Sequence, residues 1–480
     1  MKKIPLIISL ALALIGCTKQ GAVPETQVSP GIRDGNPGIS RDIVSLTADD
    51  AVTVAQMFCS KEGKTKGGES KTVKNVVTIS GKDGSANMYA VNFSNDEGFI
   101  LVSATKKFFP ILAEVEKGKF DDSIYQTGAS VLLDEYNQSI DYYKAAPQEE
   151  VDKSFSAMWR AYEKKADVSA FLKTKSYEDD LMNLVPAAMH EWAEDGYSVY
   201  PLCNAQGCGI PQSVYNQWYN IASTEANQHY SFEENSFIIV KYEDQLITKG
   251  PLLTTKWNQG IPYNLSTTLY NGNHAPVGCV PLAVAQIMKF HQYPTTYSWN
   301  SMPDELIYSP WGTDMTLPNF LNSVGVACQV VHTFPSNDEI STASDIDKAK
   351  SALENSYNYL CSLYYYHNPS NVTSSIYSNR PVFMEGENSN EQRHAWVCDG
   401  YKYSSPTITY SLMIISVTDN PLYYYSPCQD YIEYLPAYSR YHMNWGLATV
   451  QNGWYSDSLG TAPVDLTTDR YELINIHPNN

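Results

Sequence analysis

The chain has 480 residues, 43% of them hydrophobic, with 33 Lys and Arg against 52 Asp and Glu for a net charge of −19. That apolar content supports a packed core, and the length allows about two or three domains. The acidic surplus argues against nucleic acid as a partner. Tyrosine is abundant, with 36 copies, many in runs such as Tyr364-Tyr365-Tyr366 and Tyr423-Tyr424-Tyr425 that read as half-buried strands or loop surface.

At the amino terminus, Met1-Lys2-Lys3 supplies a basic start and Ile4 to Ile15 an apolar stretch, the layout of an export signal. That stretch is too short to read as a membrane-spanning helix. Leu14-Ile15-Gly16-Cys17 resembles a bacterial lipoprotein cleavage site, with Cys17 as the lipidated first residue of the mature chain. Residues 1–17 are therefore expected to be a lipoprotein signal and 18–45 a Pro/Gly-rich flexible tether.

Asp50 to Cys59 reads as a helix with Ala51, Val54, Ala55 and Phe58 on one face. Lys74–Ile79, Met88–Phe93 and Gly98–Ser103 read as strands, the last two joined by an Asn95-Asp96-Glu97-Gly98 turn. From Ser130 to Glu194 the pattern turns helical, with Leu132, Leu133, Tyr136 and Ile140 on one face. Phe237-Ile238-Ile239-Val240 returns to strand, and 241–253 is the expected processing zone. Cys203 and Cys208 bracket a short Asn-Ala-Gln-Gly turn and invite a local disulfide. No CxxC pair or HExxH occurs, so no metal and no cofactor are expected.

Gly278-Cys279 runs straight into the apolar segment Val280 to Met288, with Pro281 in its first turn and Tyr293-Pro294 beyond its end. A helix start carries positive partial charge and unpaired N–H groups, both of which favour a thiolate. A cysteine nucleophile also needs a base, a group to orient the base, and donors for an oxyanion. Pro381 to Gly386 reads as a buried strand, and His394-Ala395-Trp396-Val397-Cys398-Asp399-Gly400 as a second with the histidine at its start. Tyr441-His442-Met443-Asn444-Trp445-Gly446 reads as a third, in which Asn444 can accept from the base and Trp445 can shield that contact. Gln259, in Trp257-Asn258-Gln259-Gly260, offers an amide for an oxyanion. His291, His442 and His274 read as structural or solvated residues around this set.

These blocks, in this order, resemble the streptopain-like cysteine peptidases, a family with a papain-like fold. The most specific block is Gly278-Cys279-Val280 with Ala285 to Pro294, and the likeness covers residues 250–475. The resemblance implies Cys279 as nucleophile, His394 as base, Gln259 as oxyanion donor and Trp445 as the aromatic beside the histidine, with Asn444 a third polar member. Ala104 to Phe120 continues the pattern of that family's inhibitory propeptide. The chain departs from the family at Arg393, where glycine is usual, and at Leu447-Ala448-Thr449, which replaces a loop rich in glycine and tryptophan.

The implied fold class is α+β: a peptidase domain at 246–480, with a nucleophile-bearing helix on an antiparallel sheet, preceded by an α+β prodomain at 46–245. Within the prodomain, 46–125 is propeptide-like and 126–245 a helical extension. The implied function is an exported, lipid-anchored cysteine endopeptidase made as a zymogen, acting on proteins or peptides and inhibited by its own prodomain. A catalytically silent peptide- or peptidase-binding surface protein of the same fold and a cysteine-based transferase are the alternatives from other classes.

Overall fold

The computed structural model describes residues 25–26, 38–40, 43–61, 71–164, 181–225, 235–309, 311–334, 340–416, 423–448, 451–457 and 470–479. Cys17 and the expected export signal lie outside the described residues. The class is mixed, with helices packed on antiparallel sheet, as expected.

The main sheet contains fifteen strands among the described residues. In chain order they are β1 (Glu25–Thr26), β2 (Val73–Ser80), β3 (Ala86–Phe93), β4 (Phe99–Ser103), β5 (Ile111–Val115), β6 (Ser198–Pro201), β7 (Ser236–Lys249) and β8 (Tyr359–Tyr364). There follow β9 (Val382–Glu387), β10 (Arg393–Ser416), β11 (Tyr423–Tyr425), β12 (Tyr431–Tyr434), β13 (Tyr438–Asn444), β14 (Gly453–Ser456) and β15 (Tyr471–Pro478). The path across it runs β1-β2-β3-β4-β5-β14-β13-β10-β9-β15-β8. Strands from the two ends of the chain thus meet at β5 and β14, where Val115, Glu114 and Ala113 pair with Gly453, Trp454 and Tyr455.

Helix α1 (Ala48–Lys61) opens with a reciprocal cap, the Asp50 N–H donating to Thr47 Oγ1 and the Thr47 N–H to Asp50 Oδ2. It buries Ala51, Val54, Ala55 and Phe58, the face expected from spacing. Helix α2 (Ala129–Ala145) lies across the junction of β5 and β14. Its Tyr136 hydroxyl sits between the carbonyls of Leu112 at 3.1 Å and Ser456 at 2.6 Å. Leu132, Leu133, Tyr136 and Ile140 share one apolar cluster with Trp396, Met443 and Trp445 from the C-terminal half. Helices α3 (Lys153–Trp159), α4 (Leu181–Glu194) and α5 (Gln212–Glu225) follow.

On the opposite face, α6 (Cys279–His291) packs with α7 (Thr316–Ala327) and α8 (Ile346–Ser351) against Ala395 and Val397 of β10. Every residue from Val280 to Met288 is buried, so α6 is a core helix. Helix α9 (Pro369–Tyr377) packs on the α2 side of the sheet.

Three expectations are corrected. The tether is shorter than 18–45, because Glu25–Thr26 pairs with β2 and Ile39 is buried in the α1 cluster. The stretch 126–245 is not helical throughout: Ser236–Lys249 is a strand paired with β10 along its whole length, from Ser236 with Ile414 to Lys249 with Tyr401. The expected processing zone at 241–253 falls on this strand and on Leu252 and Leu253, whose N–H groups donate to Asp399. Finally, Cys203 carries a free thiol, so no bridge to Cys208 is formed; Cys208 turns into the apolar cluster of Leu202, Trp218 and Tyr410.

The N-terminal and C-terminal halves also share a buried charge cluster. Glu114 of β5 accepts from Lys402 at 3.1 Å and lies 3.4 Å from Arg440, all three side chains being at most 6% exposed. Removing one member of such a cluster takes a buried counter-charge away from the others. Glu114→Ala is expected to destabilise the whole chain by about 3–5 kcal/mol in denaturant unfolding. A loss under about 1 kcal/mol, the range of exposed pairs, would show that the cluster does not hold the halves together.

Candidate active site

Gly278 has φ of +96°, and a Cβ there would lie 2.9 Å from Thr342 Cγ2, so the turn into α6 needs glycine. The turn sets Cys279 at the first position of the helix, half-buried. His394 stands at the start of β10 on the face that carries Trp396, and Gly386 pairs with it in register. Its Nε2–H donates to the Trp445 carbonyl at 3.3 Å, leaving Nδ1 for the sulfur.

Burial pushes the Cys279 thiol up, but the charge and hydrogen bond of His394, helped by the Ala395 N–H, outweigh it and hold the thiol below its ordinary value. Burial likewise pulls His394 down, and the charge and hydrogen bond of Cys279, with the Trp445 carbonyl, raise it above its ordinary value. Opposite shifts on two touching groups describe a thiolate–imidazolium pair.

Trp445 is fully buried, its ring 5.1 Å from that of Trp396 and its Nε1–H donating to the Gln451 carbonyl. Asn444 does not orient the histidine as expected. Its Oδ1 accepts from Gln286 of α6 at 3.2 Å and from the Gly446 N–H at 3.1 Å, while Nδ2 donates to the Thr255 carbonyl. The orienting acceptor is the neighbouring backbone carbonyl; side-chain alternation points Asn444 away from β10's histidine and towards α6.

Gln259 is anchored beside the nucleophile turn, its carbonyl accepting from the Val277 N–H at 2.9 Å. The same segment is tied to the far side of the site, since the Ala448 N–H donates to the Trp257 carbonyl at 2.9 Å. Asn258, Gln259 and Gly260 line a cavity of about 440 Å³ with Leu447 and Ala448, and Ser123 and Thr127 from the N-terminal half complete the lining.

The outer histidines have other partners. His442 Nδ1 lies 2.6 Å from Asp399 Oδ1, and His291 Nε2–H donates to the Ile476 carbonyl. His274 contacts the Thr267 carbonyl.

One contact was not anticipated from the sequence. Gly128, at the start of α2, lies so close to the site that an added Cβ would fall 2.6 Å from His394 Cδ2 and 2.7 Å from Trp445 Cε3. The only local sign is the run of small residues Thr127-Gly128-Ala129-Ser130 at a helix start.

Residues 257–296 and 295–455 match the peptidase C10 family, and residues 44–140 match the Spi protease inhibitor family. Residues 257–455 are thus those of a peptidase C10 segment. The thiol protease/hemagglutinin PrtT of Porphyromonas gingivalis is 24% identical over 265 residues, covering 46% of this chain and 26% of that protein. Streptopain of Streptococcus pyogenes is 38% identical over 92 residues, covering 16% of this chain and 23% of streptopain. The chain therefore spans about a quarter of the length of these curated relatives. A fragment of Prevotella intermedia prointerpain A aligns over 81% of this chain and 94% of its own, with 14% identity and a TM-score of 0.40.

Cys279 is expected to react with iodoacetamide near neutral pH far faster than Cys328 or Cys361, whose thiols burial pushes up to about 12. His394→Ala removes the stabilising cation, so alkylation of Cys279 at that pH is expected to slow by about tenfold or more. Equal labelling of the three cysteines, read by mass spectrometry, would contradict the ion pair.

Proposed function

We propose that this chain is the zymogen of an exported, lipid-anchored cysteine endopeptidase acting on proteins or peptides. The observation that carries the reading is the Cys279–His394 pair at the start of a buried helix, with both groups shifted towards their charged forms. In the reaction, the Cys279 thiolate attacks the scissile carbonyl carbon and His394 gives its proton to the leaving amine. Water then attacks the acyl-enzyme, His394 takes up a proton, and the thiolate leaves. Gln259 and the Cys279 backbone N–H are the proposed oxyanion donors, each worth about 2.7–4 kcal/mol where such donors have been removed in other enzymes. Export and lipidation rest on the Met1–Cys17 pattern alone.

The N-terminal half is proposed as the intramolecular inhibitor. Its match to a protease-inhibitor family, the packing of Gly128 on His394 and Trp445, and the presence of Ser123 and Thr127 in the cavity beside Gln259 support this. β7 belongs with the peptidase half, because its whole length pairs with the strand that bears His394. Processing is therefore proposed upstream of Ser236.

Wild-type protein incubated alone is expected to yield a fragment whose N-terminus, by mass spectrometry, precedes Ser236, while Cys279→Ala stays full length. Processing of the alanine variant at the wild-type rate would end the nucleophile assignment. A new N-terminus inside 241–253 would overturn the placement of β7. Gly128→Ala forces α2 off His394, so unprocessed Gly128→Ala is expected to cleave a fluorogenic peptide faster than unprocessed wild type. Equal rates would mean that this contact does not restrain the site.

A further inference from the structure

Glu385 of β9 lies directly opposite Ala395 of β10, and paired residues on antiparallel strands project to the same face. That is the face on which α6 packs, and the Ala395 N–H is one of the groups that touch the Cys279 sulfur. The Glu385 side chain is 2% exposed. Its Oε1 accepts from Arg393 Nη1 at 2.9 Å, and its Oε2, buried, has no hydrogen-bond partner.

Arg393 does not fully compensate this carboxyl. Its Nε is bound to Glu387 at 2.9 Å, its guanidinium lies 5.4 Å from the Tyr471 ring, and its side chain is 44% exposed. Capping the start of α8, Asp345 adds a second acidic group, itself held by Lys348 at 3.0 Å. The groups facing Glu385 are therefore Arg393 from β10, Glu387 from its own strand, Tyr471 from β15, Asp345 at the cap of α8 with the Ile346 N–H behind it, and Cys279 from α6. A buried carboxylate and a thiolate on one face repel, and a bare carboxylate oxygen in that setting is costly.

We propose that Glu385 is a positioning residue for the nucleophile, its buried carboxyl sharing a single negative charge with Cys279. This rests on the reading of Cys279 as a reactive thiolate. When the thiol passes its proton to His394, Glu385 keeps its own; when Glu385 ionises, the thiolate becomes less favourable. Burial foremost, and Asp345 after it, push the carboxyl up to about 7 against the pull of Arg393 and the Ile346 N–H. Glu385 acts in turn to raise the Cys279 thiol.

The test is the pH titration of the ultraviolet thiolate absorbance of the whole chain, referenced to Cys279→Ala. Glu385→Gln retains the shape and the contact with Arg393 but removes the charge. It is expected to lower the Cys279 midpoint by roughly half a unit to one unit. An unchanged midpoint in Glu385→Gln, beside a wild-type thiolate step below the ordinary cysteine range, would overturn the role of Glu385 alone. A wild-type thiol titrating in the ordinary range would remove the reading on which it rests. Should Glu385→Gln fail to fold, infrared spectra of wild type and Cys279→Ala still decide. A protonated-carboxyl band with a midpoint near neutral pH should move down in the alanine variant, and a midpoint that stays in place overturns the charge sharing.

Discussion

The structure depends on one continuous ladder of hydrogen bonds, the 24-residue strand β10. Its first residues hold His394 over the start of α6, and its next segment pairs with β13, which ends at Asn444 and delivers Trp445. Fourteen of its positions, from Tyr401 to Ile414, pair with β7, and this ribbon carries α4 on one face and α5 on the other. Ladder bonds are obligatory for buried backbone, and successive residues face opposite sides, so a shift of one residue would turn His394 to the wrong face and break both ends of the molecule at once. The histidine's position is thus determined by the register of a strand whose far end lies well away from the chemistry.

The N-terminal half extends the same sheet by edge addition at β14. An exposed edge needs a cover, and β5 provides it while α2 seals the face across the joint. The same helix start that closes the apolar cluster also sets Gly128 on the histidine. Stability and occlusion are therefore coupled: the half cannot lift from His394 without exposing the Glu114 cluster and the Tyr136 contact to Ser456. Separation of the two halves has to overcome a core, and not merely a surface contact.

Much of the site was legible beforehand because its parts are local. A glycine turn into an apolar helix, a histidine heading a strand and an Asn-Trp-Gly strand end each depend on a few adjacent residues. Asn444 was misread because alternation decides which of two neighbouring residues faces the base, and the sequence offered both a side-chain amide and a backbone carbonyl. The length of the strand Ser236–Lys249 was missed for another reason. Glu243-Asp244-Gln245 is polar enough to suggest a loop, yet the pairing with β10 supplies the backbone bonds that its side chains do not advertise.

What the amino-acid sequence determined by itself was the chemistry: a cysteine at a helix start, a histidine at a strand start, and the apolar periodicities of α1, α2 and α6. Those follow from local backbone preference and burial, which act over a few residues. Only the tertiary structure decided the meetings between distant segments: Gly128 with His394, Glu114 with Lys402 and Arg440, and Glu385 beside the strand that touches Cys279. Strand order and register set these contacts, and both arise from pairings between residues up to several hundred positions apart, for which no local pattern carries a signal.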